Sequence, residues 1–122
     1  MNLPELKTFI ANGEKKPLYI FTGDEIAVMD VYINKLKKLF NGNVMFADSL
    51  QSIVHRLKSN SLINSDDALY IIREDKAVLS ADKIWQAIKS GGMQRHNSLL
   101  FIYTSIDKRG KFYKEFSNYI TV

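Results

Sequence analysis

No cysteine occurs in the 122 residues of the chain, which excludes a disulfide framework and any thiolate nucleophile or metal ligand. Histidine is almost as scarce. His55 and His96 are the only two, they lie far apart, and neither has ligand-type neighbours, so no zinc site is expected. His55 reads instead as a partly exposed residue on the rim of a short helix. No apolar run approaches the ~20 residues of a membrane span, and the opening MNLPELKTFI mixes charge with apolar residues where a signal peptide would be continuously apolar. These absences lead to the expectation of a soluble cytoplasmic protein without a membrane partner.

What is present is the composition of an ordinary globular domain. A hydrophobic share of 46% beside 25% charged residues is too apolar for a disordered chain, and the length fits a single domain spanning 1–122. The net charge is +4, and the cations come in small groups: Lys15 with Lys16, Lys35 with Lys37 and Lys38, and Lys108 with Arg109 and Lys111. Such groups attract nucleic acid, but solvated helix faces and turns carry them more often.

Hydrophobic spacing divides the chain into alternating elements. Leu3, Leu6 and Ile10, with Phe9 beside them, predict a first helix stopped by the NGEKKP stretch. Leu18 to Phe21 are consecutively apolar, the pattern of a strand covered on both faces. Ile26, Met29, Ile33, Leu36 and Phe40 then recur in steps of three and four, predicting a long amphipathic helix ended by NGN, with Thr22 and Glu25 at capping-box spacing. Val44 to Asp48 reads as a second strand, followed by a short helix on Leu50, Ile53, Val54 and Leu57.

Ala68 to Arg73 predicts a third, buried strand. After a polar EDK turn, Ala81, Ile84, Trp85 and Ile88 share a helix face, with Trp85 as a core anchor and SGG as the stop. Ser98 to Ser105 is the longest apolar run and reads as a fourth strand. A helix bearing Phe112, Tyr113 and Phe116 leads to a closing fifth strand, YITV. The expected fold class is α/β: a five-stranded parallel sheet with helices on both faces and right-handed crossovers. A closing strand at the last residue is also the pattern of a domain excised from a longer chain.

In such a sheet the first strand-to-helix turn is the natural ligand site. Here it reads IFTGDEIAVMD. A phosphate loop needs G-x-x-x-x-G-K-[ST], so that glycine amides wrap the phosphates and a lysine reaches the terminal ones. Only Gly23 is present, and Val28 and Met29 stand where the second glycine and the lysine belong. Asp24 and Glu25 instead place two carboxylates at the helix N terminus, where they are expected to satisfy its amides and dipole and to repel phosphate.

After the third strand, Glu74 and Asp75 follow Arg73, and an acid pair at a strand end is more often a turn feature than a magnesium site. No G-x-S-x-G, H-E-x-x-H or identifiable acid and base pair occurs. The reading is a degenerate phosphate loop at Gly23, Asp24 and Glu25, with no catalytic residues, no cofactor and no metal.

Three blocks, PLYIFTGDEIAVMDVYINKLKKLF, LKSNSLINSDDALYIIRED and NSLLFIYTSIDKRGKFYKEF, together resemble the N-terminal domain of the delta subunit of bacterial DNA polymerase III, a clamp-loader component. The order of all three carries the resemblance. The first block is strand, G-x-[DE] turn and long helix. The second is a helix ending in a small-apolar-apolar tip before a strand. In the third, Asp107, Lys108, Arg109, Lys111, Tyr113 and Lys114 match the family's basic turn.

The resemblance implies an AAA+-like (RecA-like) three-layer sandwich that does not hydrolyse ATP. It implies a sliding clamp as partner, with other clamp-loader subunits beside it where the full chain exists. Members of the family usually continue into a lid and a collar domain, which the three matching blocks do not include. Ser61, Leu62 and Ile63 match the family's clamp-binding tip, in which the apolar pair inserts into a hydrophobic pocket of the ring. The family often has an aromatic where this chain has Ile63.

Judged on burial alone, Leu62 and Ile63 would either cap the domain's own core or face a partner. Three other functions stay open beside the delta reading. One is a stand-alone clamp-binding or inhibitory protein, which would present the same tip. Another is a degenerate nucleotide-binding module. The third is a module contacting DNA or another subunit, indirectly or weakly, through Lys108, Arg109, Lys111 and Lys114.

Overall fold

A computed structural model of the chain describes residues 3–14, 16, 18–53, 68–80, 85, 97–117 and 120–121. Helix α1 spans Leu3–Ala11, strand β1 Leu18–Thr22, helix α2 Ile26–Leu39 and strand β2 Val44–Ala47. A 3-10 turn at Gln51–Ile53 follows, then β3 at Ala68–Arg73, a second 3-10 turn at Val78–Ser80, and β4 at Asn97–Tyr103. Helix α3 at Lys111–Glu115 and the two-residue strand β5 at Ile120–Thr121 complete the order.

All pairings are parallel, and the sheet order is β2-β3-β4-β1-β5. Four strands of four to seven residues make the body of the sheet. β5 adds only Ile120 and Thr121, opposite Ile20 and Phe21 at its edge. β4 is central, since its register runs from Ala68↔Asn97 to Arg73↔Ile102 on one side and from Leu18↔Leu99 to Thr22↔Tyr103 on the other.

Alternation along each strand sends side chains to two separate cores. Leu18, Ile20, Tyr70, Ile72, Leu99, Phe101 and Tyr103 face one side, where Leu50, Ile53, Val78, Trp85, Phe112 and Phe116 cover them. Tyr19, Phe21, Leu69, Ile71, Leu100 and Ile102 face the other, against Leu6 of α1, Ile33 and Leu36 of α2, and Phe40 at the C-cap of α2. This two-sided burial is why these strands read as continuous apolar runs. Helical elements cover both faces, as expected from the sequence.

Trp85 holds the first core together. Its indole Nε1 donates to the Val78 carbonyl at 2.8 Å, and its ring meets Phe112 and Phe116 edge-on at centroid distances of 5.7 and 5.8 Å. On the second face, α2 ends as its NGN sequence predicts. Asn41 (φ 56°) and Gly42 (φ 76°) adopt left-handed conformations, and the Gly42 amide donates back to the Lys37 carbonyl at 2.9 Å, closing the helix.

The start of α2 differs from expectation in two respects. No capping box forms, because Thr22 is the last residue of β1, paired with Tyr103. Glu25 occupies the N-cap without a side-chain hydrogen bond. Ile26, expected on the buried face, is 71% exposed. The helix begins beyond the carboxyl edge of the sheet, so its first residue has no strand beneath it; partial cover starts at Met29 and full burial at Ile33 and Leu36.

Candidate functional site

In an open parallel sheet, ligands bind outside the carboxyl ends of the strands, where successive connections leave in opposite directions. Here that point lies between β1 and β4. From β1 the chain crosses to β2 at one edge of the sheet, and from β4 it passes over β1 to β5 at the other. Gly23, Asp24, Glu25, Glu74, Asp75 and Thr104 all follow the carboxyl ends of adjacent strands, so the topology brings these distant segments to one edge.

The crevice is closed by its own backbone. The Gly23 amide, which in a phosphate loop would face the ligand, donates to the carbonyls of Tyr103 and Thr104, both at 3.2 Å. Gly23 reaches this geometry at φ 131°, a conformation that side-chain-bearing residues rarely adopt. Three residues on, the Ile26 amide donates to the Asp24 carbonyl at 2.9 Å. Asp24 and Glu25 are exposed. They add negative charge at the helix start without the amide-capping bonds that the sequence suggests.

The acid pair after β3 is also occupied by the fold. Glu74 stands at φ 54°. Its Oε1 accepts from the Thr104 amide at 2.6 Å and from the Thr104 hydroxyl at 2.7 Å. Its own amide donates to the Ile102 carbonyl at 2.8 Å, and Oε2 lies 3.5 Å from Lys76 Nζ. The two hydrogen bonds from Thr104, then the nearby Lys76, hold the Glu74 carboxyl below its ordinary pKa.

Asp75, expected in a polar turn, is buried. Its Oδ2 accepts from the Leu50 amide at 2.8 Å, which ties β3 to the connection after β2. The Asp75 carbonyl accepts from the Tyr103 hydroxyl at 2.7 Å. Burial, followed by the negative charge of Asp75 and Glu74, pushes that hydroxyl far above its usual pKa. Among the described residues no group of three His, Cys, Asp or Glu side chains is arranged to hold a metal ion.

The basic turn follows the same sheet edge. Lys108, Arg109, Lys111 and Lys114 are all exposed on the β4–α3 connection and on α3. Asp107 organises the turn, accepting from the Arg109 amide at 2.9 Å, and it pairs loosely with the Arg109 guanidinium at 3.5 Å. Ser61, Leu62 and Ile63 lie outside the described residues, as does His55 and the helix expected on Val54 and Leu57. His96 and the helix partners of Trp85 (Ala81, Ile84 and Ile88) lie outside them too.

Thr104 escaped the sequence reading, because its role depends on Glu74 thirty residues away. Four exposed apolar side chains escaped it as well: Ile26, Val28, Val31 and Phe46. Among the described residues no helix is long and apolar enough to cross a membrane.

These features define a parallel α/β domain whose first strand-to-helix turn is closed by backbone hydrogen bonds. The fold is similar to that of the Bacillus subtilis DNA clamp loader delta protein (YqeN), with a TM-score of 0.72 over 97% of this chain at 12% sequence identity. The match covers 41% of that protein, so the chain spans less than half of its length. At this identity the likeness is one of fold. No protein-family model matches the chain, and no curated protein matches its sequence.

Proposed function

We propose that this chain is a clamp-loader delta-like module of the AAA+-like three-layer type. In this reading it binds a sliding clamp through Leu62 and Ile63, with Ser61 as the small residue before them, and helps to open the ring without hydrolysing ATP. The observation that carries the proposal is the fold likeness to a clamp loader delta protein over nearly the whole chain. The commitment of the Gly23 amide to the Tyr103 and Thr104 carbonyls supports a role without nucleotide chemistry. So does the use of Glu74 and Asp75 as hydrogen-bond acceptors within the fold.

The mechanism is binding without catalysis. A rigid module that binds the open ring more tightly than the closed one shifts an existing equilibrium by that difference in affinity. Burying Leu62 and Ile63 in an apolar pocket would contribute roughly 1.5 to 3 kcal/mol each, enough to anchor a modest interface. ATP-dependent steps would belong to other subunits.

The test is calorimetric titration of the chain into the sliding clamp of its source organism, beside the Leu62→Ser, Ile63→Ser double variant. Micromolar or tighter binding by the wild type, lost in a variant whose melting curve is unchanged, is the expected result. Absence of binding by the folded wild type overturns the proposal.

A further inference from the structure

Phe46 presents 65% of its surface to solvent, although it lies in a strand whose neighbours Val44, Met45 and Ala47 are at least half covered. β2 is the terminal strand of the sheet, and Phe46 shares a face with Val44, the face packed by α2. Beside it the Lys37 ammonium sits 5.1 Å from the ring centroid.

Two more lysines continue round the end of the helix. Lys38 lies about 100° beyond Lys37, and Lys35 about 60° beyond Lys38, since successive residues turn by about 100°. Both are exposed. No ion pair among the described residues engages Lys35, Lys37 or Lys38. The cations thus form an arc that starts at an exposed aromatic ring.

Lysines in a last turn also complement the helix dipole, and that alone would account for Lys37 and Lys38. It does not account for the ring. A protein hot spot would surround such a ring with apolar surface, but the exposed Ile26 lies three turns away along α2, roughly 16 Å at 1.5 Å per residue. Val28 and Val31 lie on the outer side of the helix, on the side of Lys35 and Lys38 and not beside the ring. A lone aromatic at the start of a cationic track instead matches a polyanion with stackable faces, and only an unpaired base can lie flat on such a ring.

We propose that Phe46, Lys37, Lys38 and Lys35 form a binding site for single-stranded nucleic acid. Phe46 stacks on one unpaired base, and the lysines neutralise the phosphates that follow. The site is separate from the Lys108 to Lys114 group and does not depend on clamp binding.

The experiment measures fluorescence anisotropy of labelled oligothymidylate, oligouridylate and a duplex with the 122-residue chain across a salt series. Both single strands are expected to bind more tightly than the duplex. Phe46→Ala, at an exposed position, is expected to weaken single-strand binding roughly 5- to 150-fold with an unchanged salt slope. The Lys35→Gln, Lys37→Gln, Lys38→Gln triple variant is expected to lower the slope of log affinity against log salt by about 2.

Three results would overturn the proposal. One is absence of binding by the wild type. Another is full affinity in Phe46→Ala together with loss in a Lys108→Gln, Arg109→Gln, Lys111→Gln variant. The third is equal affinity for polyglutamate, which would mark a site for acidic protein segments.

Discussion

The bridge between Glu74 and Thr104 joins the ends of β3 and β4, beside the switch point between β1 and β4, and its strength is measurable. Two hydrogen bonds end on one carboxylate oxygen at 2.6 and 2.7 Å. Hydrogen bonds to charged groups contribute about 1.5 to 3 kcal/mol each when sheltered. The Glu74 side chain is 41% exposed, so solvent screening reduces the pair to about 1 to 2 kcal/mol in total, and the Lys76 contact adds little.

Replacing Glu74 by Gln keeps the shape, the φ of 54° and a neutral acceptor while removing the charge. Glu74→Gln is therefore expected to lose about 1 kcal/mol in urea unfolding near neutral pH. The Glu74 pKa is depressed in the folded state. Its contribution is therefore present above the unfolded carboxylate pKa and is lost as pH falls through the folded value.

The difference between wild type and Glu74→Gln should accordingly shrink once pH drops below the ordinary carboxylate range. A double-mutant cycle with Thr104→Val should return a coupling of about 0.5 to 1 kcal/mol near neutral pH. A difference that is the same in acid as at neutrality, or a coupling of zero, would refute the bridge.

Gly23→Ala is expected to cost about 1 to 2 kcal/mol by thermal unfolding, entirely through the backbone. A Cβ there meets nothing within 4 Å, while the φ of 131° excludes an ordinary side chain. Trp85→Ala is expected to cost about 3 to 5 kcal/mol, because it removes two edge-on ring contacts and leaves the Val78 carbonyl without its indole donor. Trp85→Phe, which keeps much of the ring, should lose less than half of that in the same urea assay.

Periodicity alone determined the order of the strands along the chain, the helices at Leu3–Ala11 and Ile26–Leu39, and the extent of β3, which spans Ala68–Arg73 as its apolar run predicts. It also determined the burial of Trp85, Phe112 and Phe116. Those features depend on which residues leave water, and spacing encodes that directly. The end of α2 was equally legible, because Asn41 and Gly42 are the residue types that tolerate left-handed backbone.

Tertiary structure decided what depends on neighbours distant in the chain. The order β2-β3-β4-β1-β5 is a matter of which strands meet, and it places Thr104 beside Glu74 and the Gly23 amide beneath the Tyr103 and Thr104 carbonyls. A capping box at Thr22 was compatible with local spacing, but pairing with Tyr103 drew that residue into the sheet. The exposure of Ile26 and Phe46 has the same origin. An apolar residue is buried only where another element lies over it, and at the first turn of α2 and on the terminal strand the described fold supplies too little cover.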